Sequence, residues 1–218
     1  AKSRIRVLQK SLRDTMSNET LIKPKSIRLA WQSMWPDRGH ETMDASALVR
    51  GRPNSMQLFT RTLRDKVFLP YIDSLYAYNG TLSHRMMKQA HAYMSDSTLD
   101  KDSPWAKNPG VEPEPFLGCR RAYHIFLTDG RWNSQDNLLP PSTSGDHVSY
   151  SIPDHTESYN PNADWARIFK GSETGTLADW AFISWATDLQ PHIDNKVKPL
   201  SAYEAASSNE AIGGVTVP

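Results

Sequence analysis

The sequence predicts an α/β domain with a mostly parallel sheet flanked by helices, and three observations carry that prediction. Helical periodicity runs over residues 4–16, 55–78, 82–95 and 176–190. Two runs between these segments read as strands, Ser26–Met34 and Tyr123–Leu127. The resulting order of helix, strand, two helices, strand and helix belongs to α/β architectures.

Taken in order, Ile5, Leu8, Leu12 and Met16 recur at helical spacing, while Arg6, Lys10 and Arg13 lie opposite as a solvated basic face. Ser26–Met34 alternates apolar and polar residues and ends at Trp35-Pro36. Asn54 and Ser55 are expected to cap a long helix carrying Phe59, Leu63, Val67 and Leu75, kinked by Pro70. Asn79-Gly80 signals a turn into a further helix with Leu82, Met86, Ala90 and Tyr93 on one side. Residues 96–118, with Pro104, Pro109, Pro113 and Pro115, read as a surface connection. Tyr123–Leu127 reads as the most buried strand of the chain, closed by Thr128-Asp129-Gly130. Thr176 and Asp179 form a capping box for the last helix. Apolar almost all round, that helix is expected to be buried, and Pro191 to end it.

Residues 1–200 are read as one domain with insertions over about 36–53, 96–118 and 131–164, and 201–218 as a connecting segment to a further downstream part. Both ends are expected to be cut from something longer, since the chain opens on Ala1 and stops after Gly-Gly-Val-Thr-Val-Pro.

Composition narrows the function. The 218 residues carry 25 Lys and Arg against 24 Asp and Glu, a formal net charge of +1. No excess charge exists to form a phosphate-seeking field, so direct nucleic-acid binding by this chain is not expected. No apolar run approaches the roughly 20 residues of a spanning helix, so no membrane insertion is expected. One cysteine, Cys119, excludes an internal disulfide framework; it reads as a free buried thiol, with a disulfide to another part of a longer chain as the alternative. The 15 prolines, 7 Trp and 8 Tyr point to long loops pinned by aromatic rings. Trp35, Trp132, Trp165, Trp180 and Trp185 are read as loop anchors in preference to a sugar- or protein-binding surface.

No phosphate loop, dinucleotide turn, nucleophile elbow or paired-histidine zinc helix occurs. His84 and His91 lie seven residues apart with Lys88 between them, which reads as a solvated face, and His124 reads as a core histidine. A metal-dependent hydrolase is disfavoured because no nucleophile–base or acid–base pair is visible. Ligands of parallel sheets sit beyond the carboxyl ends of the strands, which places Asp129 on the functional crest. The Thr81 hydroxyl and the Asp129 carboxylate together suit a hard cation, Mg²⁺ or Ca²⁺. Each piece alone is weak, since Thr81 also reads as a helix cap and Asp129 as a turn residue. The Asn79-Gly80-Thr81 sequon is read as chance.

Four stretches in register then carry a resemblance: Ser26–Trp35, Gly80–Met86, Cys119–Asn133 and Thr176–Pro199. Together they resemble PilY-type type IV pilus tip-associated proteins, whose amino-terminal domain is von Willebrand factor A-like. The resemblance implies an α/β fold of that Rossmann-like kind, located outside the cell at the pilus tip or outer membrane. It implies roles in pilus assembly, opposition to retraction, surface sensing, adhesion, twitching and, in competent bacteria, DNA uptake, and no enzyme activity. Partners implied are minor pilins, the tip complex, and a host or abiotic surface. In such domains an adhesion-type metal site uses three loops; Thr81 matches the second and Asp129 the third. The first, Asp-x-Ser-x-Ser at the end of the first strand, has no counterpart here, so the site is incomplete and the first strand is apparently lacking. Gly80, Ser83, Gly130, Trp132 and Asn133 surround the two oxygens as the candidate binding surface, with the loops at 36–53 and 131–164. The alternative is a structural or mechanosensory module of the pilus tip with no ligand of its own.

Overall fold

The computed structural model describes residues 3–34, 48–76, 81–118, 120–128, 145–151 and 158–194, together with the backbone of 211–212 and 215–216. Helix α1 (Arg4–Ser17) follows the expected periodicity and turns Gln9 and Met16 inward. Strand β1 is short, Arg28–Leu29, and pairs antiparallel with β2, Gln57–Leu58. The strand expected over Ser26–Met34 stops early because Asn54 takes the place of a ladder partner. Trp31 N–H donates to the Asn54 carbonyl at 3.0 Å, and Asn54 Nδ2 donates to the Trp31 carbonyl at 2.9 Å.

The helix expected from residue 55 starts later, because Gln57–Phe59 are drawn into pairing with β1. Thr60, not Asn54 or Ser55, is the cap; its hydroxyl accepts from Leu63 N–H at 3.1 Å. The run then passes through α2 (Arg61–Leu63), a π-helical turn (Arg64–Phe68) and α3 (Leu69–Ser74). Pro70 is the cause of the irregularity. Its ring excludes the carbonyl four residues back and it has no N–H to give, so the ladder widens ahead of it and Leu69 N–H reaches Arg64 O instead.

α1, β1 and this helical run enclose the first core: Met16, Trp31, Phe59, Leu63, Phe68, Leu69 and Ile72. Trp31 and Phe59 both meet the Phe68 ring edge-on, at 5.2 and 5.8 Å between centroids. Gln9 closes the far side. Its buried amide donates to the carbonyls of Ile72, Asp73 and Leu75 at 2.8–3.0 Å, satisfying the open end of α3.

α4 (Ser83–Met94) joins this half to the second. On one side Met56 N–H donates to the Tyr93 phenol at 2.7 Å and Gln32 Nε2 to the Met86 carbonyl at 2.9 Å. On the other it packs against α5 (Leu177–Ala186), where Gln190 Nε2 donates to the carbonyls of Met94 and Asp96, both at 2.9 Å. Residues 96–118 are more than a surface connection: Ser103 and Ala106 are fully buried, and Trp105 Nε1 donates to Met94 O at 2.9 Å.

The second core is aromatic. A hairpin of β3 (Tyr150–Ser151) and β4 (Ser158–Tyr159), a 3₁₀ turn (Asp164–Ile168) and α5 bring Tyr159, Ala166, Phe182 and Ala186 together. Tyr159 lies 4.7 Å from the Phe182 ring, and its hydroxyl donates to Asp146 O at 2.6 Å. Part of the expected 131–164 insertion is therefore folded against α5, and Trp165 anchors it as expected, with its ring 5.7 Å from that of Tyr159. The capping box is present: Thr176 N–H donates to Asp179 Oδ2 at 2.8 Å, and Asp179 N–H to Thr176 Oγ1 at 3.3 Å. The helix stops at Ala186 with Thr187 as its cap, short of the expected 190, so Pro191 is not what ends it.

The chain is thus a mixture of helices and small sheets, consistent with α/β in the broad sense. The described strands form three two-residue antiparallel pairs, the third being Ala211–Ile212 (β5) with Val215–Thr216 (β6). Among the described residues no parallel pair occurs, which corrects the expected sheet. The run Tyr123–Leu127, expected to be the most buried strand, is extended, belongs to no sheet and is exposed. His124 is accordingly exposed and not a core histidine.

Candidate functional surface

Of the residues proposed for the crest, Thr81 and Ser83 are described; Gly80, Asp129, Gly130, Trp132 and Asn133 lie outside the described residues, as do Cys119, Trp35 and most of the 36–53 loop. Thr81 is half-buried just ahead of α4. It is not the helix cap, since Leu82 occupies that position without a side-chain cap bond. Ser83 is buried to 1% exposure, so it lies inside the domain and is removed from the candidate binding surface. Among the described residues no group of three or more His, Cys, Asp or Glu side chains is placed to hold a metal ion. The oxygen chemistry of Thr81 and Asp129 fits a hard cation, but only Thr81 has a described position, and no coordination step follows from it.

The solvated-face reading of the two α4 histidines is corrected. His84 is fully buried. His91 is half-buried at the α4–α5 contact, with Nδ1 3.0 Å from Ser184 Oγ and its ring 6.1 Å from Trp180. Burial holds its pKa below the ordinary histidine value, so the neutral ring is favoured. A histidine beside a serine is the start of a nucleophile–base pair. Here no carboxylate among the described residues orients the ring, and the contact serves as an interhelical hydrogen bond.

Two apolar surfaces remain. One is the extended run, where Tyr123 is 80%, Ile125 79% and Leu127 49% exposed. The other is a platform on the outer side of α5, where Trp185 (61% exposed) stacks on Phe169 with centroids 5.4 Å apart and planes at 21°. Ile168 lies exposed beside it. The uniformly apolar α5 therefore does not bury its whole circumference. The all-round pattern was the available signal for this platform, because such a helix is either buried completely or covered by something else. Loop anchoring describes Trp165; Trp180 is buried beside His91 of α4, and Trp185 is exposed.

Two open cavities were not foreseen from sequence. One of about 300 Å³ is lined by Leu99, Glu114, Phe116, His192 and Asp194. The other, about 420 Å³, lies between α1 and the end of α3, beside Gln9, Asp73 and Tyr76. Neither gathers a catalytic constellation among the described residues.

Three curated relatives are similar over most of the chain, all from Pseudomonas aeruginosa and all named type IV pilus biogenesis factor PilY1. The protein of strain PAK is 29% identical over 186 residues, 83% of this chain and 14% of that protein. Those of strains PAO1 and UCBPP-PA14 are both 28% identical, over 83% and 86% of this chain. The chain spans 14–15% of the length of the relatives it matches. The resemblance to PilY-type proteins seen in the four sequence stretches is thereby borne out. No family model and no solved structure matches the chain.

Proposed function

We propose that this chain is a protein-binding module of a type IV pilus biogenesis factor, acting in pilus assembly through contacts with pilus components and not through catalysis. The observation that carries the reading is the similarity to PilY1 across 83–86% of the chain. The exposed apolar surfaces fit it, because an apolar platform of this kind is how one protein surface meets another. On this reading the module works at the cell surface, at the pilus tip or outer membrane, with minor pilins as partners. Adhesion, twitching and DNA uptake follow from the pili it helps to build. The von Willebrand A-like sheet and the adhesion-type site at Thr81 and Asp129, taking Mg²⁺ or Ca²⁺, are the finer part of the proposal.

The test is in-frame deletion of this segment from the natural gene, with surface pili counted by electron microscopy and twitching measured on agar. The reading expects loss of both. Full piliation and twitching without the segment would overturn it. The metal site is tested separately. Thr81→Ala and Asp129→Ala should abolish Mg²⁺ or Ca²⁺ binding by calorimetry and reduce piliation. Normal piliation in both variants, with deletion of 131–164 still harmful, would select the structural, load-bearing alternative.

A further inference from the structure

The platform on α5 is open on one side only. Trp185 stacks on Phe169 and meets Phe182 at 5.4 Å, so the face of the indole turned away from Phe169 is the one that lies bare. On the same side of the helix Ala181, four residues back, and Ala178, seven back, are exposed and too short to shade it. Ile168 extends the apolar surface beyond Phe169. Exposed apolar area of this kind marks a surface that something covers.

The β5–β6 hairpin lacks a core of its own. Ile212 pairs with Val215 and Ala211 with Thr216, and Gly213 and Gly214 stand between the strands in sequence, as a two-residue turn prefers. No residue from Ala211 to Pro218 is charged. A hairpin of two-residue strands is not stable alone in water and needs an apolar surface to lie on. It already stands beside one. Cα atoms of β6 lie within 8 Å of those of the 3₁₀ turn Asp164–Ile168, whose capping residue is Phe169. The dimensions agree as well: paired strands lie about 4.8 Å apart and two residues span about 7 Å, against ring centroids separated by 5.4 Å.

We infer that the β5–β6 hairpin is a strap that closes over the Trp185–Phe169–Ile168 platform, moving from its place against the 3₁₀ turn onto the stacked rings. The occupant is a segment of this chain, already in contact with the element that carries Ile168, and not a second copy. On the protein-binding reading, on which this consequence rests, the strap competes with a pilus component for the platform. The closure itself does not depend on the pilus role.

Hydroxyl-radical footprinting of the natural full-length protein, read by mass spectrometry at each tryptophan, tests the strap. Ile212→Asp combined with Val215→Asp should raise labelling of Trp185 at least about threefold, while Trp180, 6% exposed, stays protected. Equal labelling of Trp185 in the two proteins would overturn the inference, whether the indole is open in both or covered in both by something else. If Trp180 becomes labelled too, the variant has lost its fold and a crosslink decides. Trp185→p-benzoylphenylalanine is placed in the otherwise unaltered full-length protein, the monomer is irradiated, and the crosslinked peptide is identified. A crosslink to β5 or β6 is expected. A crosslink to any other segment or to a second molecule, or none at all, overturns the inference. Piliation is not a readout of either experiment, so failure of the strap and failure of the pilus role are told apart.

Discussion

Gly145 lies directly against the buried carboxylate of Asp179: a Cβ at position 145 would land on Asp179 Oδ1 and stand 2.7 Å from the Asp179 Cβ. The glycine also has φ +88°, which side-chain-bearing residues rarely adopt. Asp179 is the capping-box residue of α5, so the start of the hairpin and the start of the helix share one contact. Gly145→Ala should therefore both strain the backbone and dislodge the cap, costing about 2–4 kcal/mol. Urea unfolding of the two proteins checks it, and a loss below about 0.5 kcal/mol would refute the coupling.

The Tyr93 phenol oxygen accepts a hydrogen bond from the Met56 N–H at 2.7 Å. Burial pushes its phenol up to about 12. Tyr93→Phe leaves that N–H unsatisfied beside α4 and should cost about 1–3 kcal/mol by denaturant titration. In the unaltered protein, ultraviolet titration should show one tyrosine that remains protonated at pH 11.

Glu19 ties α1 to the helical run through Arg61 and Arg64. The hydrogen bond from Arg61, then that from Arg64, holds its carboxyl at about 2, below its ordinary 4.5. The folded-state pKa is depressed, so the contribution to stability is fully present above pH 4.5 and is lost as pH falls through 2. Thermal unfolding of Glu19→Gln and the unaltered protein should converge at pH 2 and separate above pH 5. Arg61 is exposed and Glu19 partly so, and the separation should shrink in 1 M NaCl.

His91 gives the opposite pH dependence. Its folded-state pKa lies below the ordinary 6.5 because burial disfavours the charged ring. Below that ordinary value the unfolded chain takes up a proton that the folded chain refuses. Stability is therefore unaffected above about pH 7 and falls as pH drops through 6.5. Melting temperature measured from pH 8 to 5 should fall less in His91→Gln than in the unaltered protein. Equal slopes would remove His91 from the α4–α5 contact as a pH-sensitive group.

Local signals were legible wherever they were satisfied within a few residues. Periodicity placed α1, α4 and α5, and the Thr176 and Asp179 pattern placed a capping box that the structure contains. Pro70 announced a disturbance, though not that it would take the form of a π-helical turn. Four short stretches were enough to mark the likeness to PilY-type proteins.

What the sequence by itself determined, then, is α1, α4 and α5, the Thr176 and Asp179 cap and the family likeness; the helices and that cap depend on neighbours three or four residues away. Only the tertiary structure decided which apolar residues are covered. Tyr123–Leu127 reads as core from composition but has no sheet among the described residues, while His84 and Ser83 read as surface and are buried. Burial depends on partners distant in sequence, and hydrophobicity states only that a partner is needed. Asn54 facing Trp31, Tyr93 facing Met56 and Gly145 facing Asp179 are such long-range pairings, and no local pattern encodes them.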